Sequence, residues 1–185
     1  MANQLRIIGG EWRSRLIVFD DAPGLRPTPG RVRETLFNWL QADIANSSCL
    51  DLFAGSGALG FEAASRGAKR VVQVENHPAA CQKLRENIRA LQAGQIEVVA
   101  QDVQVFLQGS GPAFDLAFLD PPFGCQMLET SYRLLETGNW LKEYAKVYVE
   151  AERELNLTGL PANWRPLKHK TAGQVAYYLF QRLAP

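Results

Sequence analysis

"DLFAGSGALGFEA", residues 51–63, decides the fold. Its glycines stand at positions 55, 57 and 60, the spacing GxGxxG. The apolar run "CLDLFA" (49–54) leads in, and "ALGFEAASR" leads out as a helix stopped by Gly67. Glycines at such a turn let the backbone bend sharply and approach a ligand closely, while the helix start offers free N–H groups. "RVVQVE" (70–75) follows and closes on Glu75, whose carboxylate can accept both hydroxyls of a ribose. Strand, glycine turn, helix, strand and acid fit a nicotinamide dinucleotide and also S-adenosylmethionine.

Outward from this unit the chain keeps alternating. A helix opens near Pro78, with Ala80, Leu84, Ile88 and Leu91 on one face. "IEVVA" (96–100) and "FDLAFLD" (114–120) read as strands, "MLETSYRLLET" (127–137) as a helix and "KVYVEAE" (146–152) as another strand. Repeated βα units predict a mostly parallel, Rossmann-like sheet with helices on both faces. The end breaks the pattern: "WRPLKHK", "TAG" and "QVAYYLFQRL" predict an antiparallel hairpin. At the other end, "QLRII", Gly9-Gly10 and "EWRSRLIVF" predict a small β-hairpin around a Gly-Gly turn. A loop with three prolines and two glycines, "DDAPGLRPTPG" (20–30), joins it to a helix. Thr28 is the expected cap and Pro29 the first helical position. Val32, Leu36, Phe37, Leu40 and Ile44 mark its buried stripe, with Arg31, Arg33 and Glu34 off it. The division expected is a hairpin and loop extension, 1–28, and an α/β domain, 29–185.

The chain has 185 residues, of which 46% are hydrophobic, enough to bury a real core. No apolar run approaches a membrane span, the start lacks a signal segment, and a cytoplasmic protein is expected. Cys49, Cys81 and Cys125 are odd in number, far apart and form no CxxC pair. With only two histidines, no metal site is expected. Net charge is +1, unevenly spread. Residues 1–33 carry six arginines against three acids, and residues 155–185 carry four basic groups and no acid. The middle holds ten basic against sixteen acidic groups. Basic flanks around an acidic centre suit a polyanionic partner.

Acids end the successive strands, beside the crevice where open α/β sheets bind ligands. Asp51 lies next to the glycine turn, where it can meet an ammonium group; a pyrophosphate there would be repelled. Asp102 can accept from an adenine amine while the Val103 N–H donates to the ring, or it can cap "VQVFLQ". "AFLDPPFG" (117–124) ends the fourth strand of the series. Asp120 supplies an acceptor, and consecutive prolines, Pro121 and Pro122, form a stiff turn that presents carbonyl oxygens. Asp120 and the Pro121 carbonyl can receive both hydrogens of an exocyclic NH2. Phe123 offers a face for a base drawn out of its stack. The motif reads as a clamp for a planar amine. Cys125 has no base beside it in sequence and is read as packing.

"DLFAGSGALGFEA", "VVQVEN", "QDV" and "LDPPF", in this order, are similar to the amino-methyltransferases of nucleic acids. "RIIGGEWRSR", "RPTPGRVRETLFNWL" and "TAGQVAYYLF" resemble one family in particular, the RsmD-type enzymes that methylate N2 of a guanine in bacterial small-subunit (16S) ribosomal RNA. The resemblance implies the seven-stranded methyltransferase fold, S-adenosylmethionine as donor and S-adenosylhomocysteine as product. It implies the small ribosomal subunit as partner, its rRNA as substrate with room for contacts to its proteins, and a monomer is expected. It implies cofactor contacts at Asp51, Phe53, Ala54, Gly55, Gly57, Glu75, Asn76, Asp102, Val103 and Asp120. Asp120, Pro121, Pro122 and Phe123 are the expected catalytic set. Arg6, Arg13, Arg15, Arg26, Arg31, Arg33, Lys168 and Lys170 are the candidates for phosphate contacts, with Arg26 and Thr28 alternatively bordering the active site. Three rivals stay open. A DNA adenine-N6 or cytosine-N4 methyltransferase would use the same clamp but lacks a target-recognition domain here. A nicotinamide oxidoreductase leaves "DPPF" unexplained. A non-catalytic ribosome-assembly module has no use for an intact clamp.

Overall fold

The computed structural model describes residues 2–23, 25–124 and 126–184. Nine strands and five helices follow in chain order: β1 (Ala2–Arg6), β2 (Leu16–Asp20), α1 (Gly30–Trp39), β3 (Ser48–Asp51), α2 (Ala58–Ser65), β4 (Arg70–Glu75), α3 (Pro78–Leu91), β5 (Ile96–Ala100), α4 (Val103–Leu107), β6 (Phe114–Leu119), α5 (Met127–Thr137), β7 (Leu141–Glu152), β8 (Trp164–Ala172) and β9 (Val175–Arg182). A seven-stranded sheet runs β5-β4-β3-β6-β7-β9-β8, and β1 and β2 form a separate two-stranded sheet. The five strands β3 to β7 pair in parallel, while β9 is antiparallel to both β7 and β8. The strand order reverses between β3 and β6. Such a switch point opens a crevice beyond the carboxyl ends of the strands.

Alternation along the strands feeds two cores. Cys49, Val71, Leu116, Phe118 and Tyr148 join one apolar cluster with α1, α2 and α3. Their sequence neighbours Leu50, Val72, Ala117, Leu119 and Val149 join the other, with α4 and α5. Burial on both faces is why these strands read as continuous apolar runs. The strand β7 starts earlier than its apolar segment suggests, because Leu141 already pairs with Phe114, and a bulge over residues 142–145 separates it from the ladder that resumes at Lys146.

The third glycine of the turn sets how closely α2 lies on the sheet. A Cβ at Gly60 would stand 2.3 Å from Nε2 of the buried Gln73. Along α3 the buried face is Cys81, Leu84, Asn87 and Leu91, so Cys81 takes the place expected of Ala80. Asn87 is buried because its side chain pairs with both backbone groups of Val18, docking β2 on α3. Cys49 and Cys81 are free thiols, and Cys125 lies outside the described residues.

Three N-terminal expectations are corrected. Gly9-Gly10 is not a two-residue hairpin turn; β1 and β2 separate after Arg6 pairs with Leu16, and residues 7–15 form a loop laid on α2. The reason is burial, since Ile7 and Trp12 enter the core cluster with α1 and α2. Glu11 N–H donates to the Ser65 carbonyl at 2.7 Å and Trp12 N–H to Ser65 Oγ at 2.9 Å. Gly10 adopts φ +79°, and a Cβ there would lie 1.9 Å from the Ser65 carbonyl oxygen. Thr28 does not cap α1, which starts from Pro29 without a side-chain cap and ends at Trp39, short of Ile44. Arg33 does not lie off the buried stripe; it is 5% exposed and pairs with the fully buried Glu62 at 3.3 Å.

Gly10→Ala should loosen this docking. A positive φ forced on a non-glycine residue costs about 1–3 kcal/mol, before the backbone clash is counted. Urea unfolding of the variant should show at least that loss of stability.

Candidate active site

Four carboxylates stand where four adjacent parallel strands end: Asp51 on β3, Glu75 on β4, Asp102 after β5 and Asp120 after β6. Asp51 and Asp120 flank the switch point itself.

Gly55 and Gly57 sit at φ +52° and +83°, left-handed conformations that glycine adopts at no steric cost. Glu75 is held by the turn it serves. Its Oε2 accepts from Gly55 N–H at 2.9 Å and its Oε1 from His77 N–H at 2.8 Å. A carboxylate offers about four lone-pair sites, so two bonds leave capacity for a diol. Asn76 follows directly, between those two anchors. Asp51 is buried, and its Oδ2 has no hydrogen-bond partner. Desolvation first, then the nearby Glu75 charge, push it up to about 7. An orphaned buried carboxylate oxygen is costly unless a donor arrives to meet it. A cationic donor such as an ammonium group fits this oxygen chemically.

Phe53 and Ala54 line the entry to the turn, and Ala54 N–H donates to the Val74 carbonyl at 3.1 Å. Asp102 caps α4, its Oδ1 accepting from Gln104 and Val105 N–H at 2.8 and 3.2 Å. The Val103 amide is not among those it takes, so the cap and a ligand contact through Val103 are compatible.

The Asp-Pro-Pro-Phe segment leaves β6 on the far side of the switch. Pro121 is buried, Pro122 is exposed, and Phe123 is 47% exposed, a ring presented rather than packed. Gly124 N–H donates to Glu152 Oε1 at 2.6 Å, so β7 holds the end of the segment. Asp120 Oδ2 is 3.1 Å from Thr28 Oγ1, and the same hydroxyl is 3.3 Å from Oε2 of Glu150, which also accepts from Tyr148 Oη at 2.9 Å. Burial and then the Glu150 charge push Asp120 well above the usual carboxylate range. Glu150 is raised by burial, opposed by its bonds from Tyr148 and Thr28.

Thr28, Tyr148 and Glu150 were not expected at this centre, apart from the suggestion that Thr28 borders it. The available signal was an acid inside the apolar run "VYVEA". Of the expected phosphate contacts, Arg33 is withdrawn. Its Nε donates to the Thr28 carbonyl at 3.1 Å and its Nη1 to the Arg6 carbonyl at 3.1 Å, so its charge is spent inside the fold. Arg6 and Arg15 are exposed, each with one donor on a backbone carbonyl, of Ser14 and Ala90 respectively. Arg13, Arg26, Arg31, Lys168 and Lys170 are exposed. Sheet register puts Lys170 opposite Tyr177 and Tyr177 opposite Glu150, one row across three strands.

A cavity of about 230 Å³ lies at the other end of the sheet, lined by Asp43, Lys69, Asp115, Lys142 and Lys146. Its charges pair with one another, Lys142 with Asp115 and Lys146 with Asp43, and it has no part in this site. Among the described residues no group of His, Cys, Asp and Glu could hold a metal ion, and no helix is long and apolar enough to cross a membrane.

Residues 5–181 match the family described as Conserved hypothetical protein 95. The chain is 49% identical to ribosomal RNA small subunit methyltransferase D of Escherichia coli K12, over 99% of this chain and 92% of that one. The protein of that name from Haemophilus influenzae is 47% identical over 96% and 94%. The chain belongs to this family. The solved structure of the Escherichia coli protein yhhF superposes with a TM-score of 0.93 at 46% identity, covering 99% of this chain and all of that one. A second, from Haemophilus influenzae, gives 0.86 at 44% identity, covering 98% and 100%. The seven-stranded sheet with its antiparallel end is therefore the fold of the family.

Asp51 provides a test of the site's electrostatics. Its folded pKa is raised, so its contribution to stability is fully present below the unfolded value near 4 and is lost as pH rises through about 7. Asp51→Asn removes this dependence. The variant should therefore compare with the parent more favourably at pH 8 than at pH 5, by about 1 kcal/mol or more, in parallel urea titrations.

Proposed function

We propose that the chain transfers a methyl group from S-adenosylmethionine to the exocyclic N2 amine of a guanine in 16S rRNA, in the small ribosomal subunit, and releases S-adenosylhomocysteine. The observation that carries the reading is the Asp120-Pro121-Pro122-Phe123 clamp, placed across the switch point from Asp51 and the Gly55–Gly57 turn. The names of the family's curated members, ribosomal RNA small subunit methyltransferase D, agree with it.

Each residue has a role in this reading. Asp51, with its unpartnered Oδ2, meets the donor's ammonium group. Glu75 takes the ribose hydroxyls, with Phe53, Ala54, Gly55, Gly57 and Asn76 forming the surrounding wall. Asp102 and the Val103 amide read the adenine edge. When bound, the donor supplies an electrophilic methyl carbon on a sulfonium. Asp120 and the Pro121 carbonyl accept the two amine hydrogens, turning a lone pair otherwise delocalised into the ring toward that carbon. Phe123 stacks on the base, a contact worth ~1–3 kcal/mol. Rate enhancement then comes mainly from alignment.

The RNA approaches over the face that carries α1. Arg26 and Arg31 stand two and three residues in sequence from Thr28, whose hydroxyl meets Asp120. Lys168 and Lys170 extend the positive charge along the free edge of the sheet, with Arg6, Arg13 and Arg15 on the hairpin side. The hairpin and loop, residues 1–28, act as an appendage that completes the site through Thr28. The enzyme works as a cytoplasmic monomer, and the assembled subunit presents the base.

Labelled S-adenosylmethionine, small subunits from cells lacking the modification, and total DNA in parallel test the reading. Labelled N2-methylguanosine from the subunits alone is the expected product, and methyl-adenine or methyl-cytosine in the DNA would overturn it. Asp120→Ala should abolish transfer while cofactor binding, read by calorimetry, largely survives. Exchanging Lys168 and Lys170 together for alanine should weaken RNA binding and reduce its salt slope by about two, one per lost phosphate contact.

A further inference from the structure

The Thr28 hydroxyl lies between two acids. Asp120 Oδ2 is 3.1 Å from Oγ1 on one side and Glu150 Oε2 is 3.3 Å away on the other. A threonine hydroxyl carries one hydrogen. Two hydrogen bonds need two, so a carboxyl must supply the second. If neither carboxyl did, two like charges would face each other across one oxygen in a buried setting, which forces one of such a pair to keep a proton. Glu150 is 5% exposed. Tyr148 Oη also donates to it, at 2.9 Å. The other charged or titratable groups around the pair do not neutralise it. Asp51 on β3 adds a third acid, Tyr177 on β9 stands opposite Glu150, and Arg33 on α1 donates to the Thr28 and Arg6 carbonyls and to Glu62, not to either acid of the pair.

We propose that Asp120 and Glu150 form one proton-sharing unit bridged by Thr28, in which Glu150 is the positioning residue that keeps the proton so that Asp120 can face the amine as a carboxylate. The proposal rests on the methyl-transfer reading. The exchange is balanced. Asp120 passes its proton to Thr28 Oγ1 as Thr28 passes its own to Glu150, and the unit keeps one proton and one negative charge throughout. A positive charge near Asp120 favours the arrangement with Asp120 ionised and Glu150 neutral. During transfer the amine nitrogen forms its bond to the methyl carbon, the carbon–sulfur bond breaks with its electron pair left on sulfur, and the amine proton goes to Asp120. The unit then holds two protons and returns one to solvent after product leaves. Burial raises both acids, which agrees with a resting unit that keeps one proton.

Carboxyl-carbon NMR on ligand-free protein labelled at Asp and Glu tests this without turnover. In the parent, the Asp120 and Glu150 signals should respond to the same one-proton step, above the usual carboxylate range. In Glu150→Gln, Asp120 should titrate about one unit or more lower. Thr28→Ser should keep the linked step and Thr28→Val should break it, with thermal unfolding confirming that both variants fold. In turnover, Glu150→Gln imitates the proton-bearing state of Glu150, so the acid limb of the kcat profile should stay where it is in the parent, with cofactor affinity also unchanged. An Asp120 titration unchanged in Glu150→Gln would overturn the proposal. A linked titration in a protein that methylates no RNA would overturn the proposed function and leave the proton-sharing unit standing.

Discussion

The buried carboxylate of Glu62 organises the amino-terminal third of the molecule. Every residue of α2 is buried, so this helix has no polar face on which to place an acid. Glu62 survives there because donors converge on it. Ile8 and Gly9 N–H donate at 3.0 and 2.8 Å, Arg33 Nη1 at 3.3 Å and Arg66 Nε at 2.9 Å. Arg33 carries the constraint onward through its bond to the Thr28 carbonyl, and Thr28 carries it to Asp120 and Glu150. Loss of one partner from such a buried pair costs about 3–5 kcal/mol, because the other charge is left uncompensated. Removing Arg33 would therefore disturb the fold and the placement of Asp120 together.

From the opposite side, β7 supplies the backing. Tyr148, Glu150 and Glu152 alternate with Val147, Val149 and Ala151, so one face of the strand carries polar groups, with Tyr148 and Glu150 buried, and the other enters the second core. The polar face holds the clamp at two points, Asp120 through Thr28 and Gly124 through Glu152. Phe123 stays exposed between them. A stacking surface for a base has to be held in place and uncovered, and anchoring the chain on either side of it, at Asp120 and Gly124, serves both.

The sequence made the frame readable and concealed the wiring. β4, β5 and α5 were legible residue for residue and β6 to within one residue, because runs bounded by charges and glycines fix both element type and length. The four strand-end acids were legible for the same reason, since their positions follow from the strands. Arg33 was misread as a solvent-facing cation, because helical spacing does not say whether a long side chain folds back to a buried partner. Thr28 fitted a cap by local rules, and its partners lie 92 and 122 residues away. The Gly9-Gly10 pair suggested a turn, although its purpose is close approach to the Ser65 carbonyl. These are long-range relations that no short window encodes. Glu62 and Glu150 were the visible clues, each an acid in a segment whose neighbours are all apolar.

The strand β8 ends the sheet, so one row of its backbone N–H and C=O groups has no strand beside it. A long, regular edge of that kind would template pairing with another copy of the chain. Pro166, the register shift between it and Lys168, and the exposed Arg165, Lys168 and Lys170 interrupt and charge this edge. The same lysines that suit a polyanion thus also disfavour strand pairing along this edge. Neutralising them would bring a liability to aggregation along with any loss of RNA affinity.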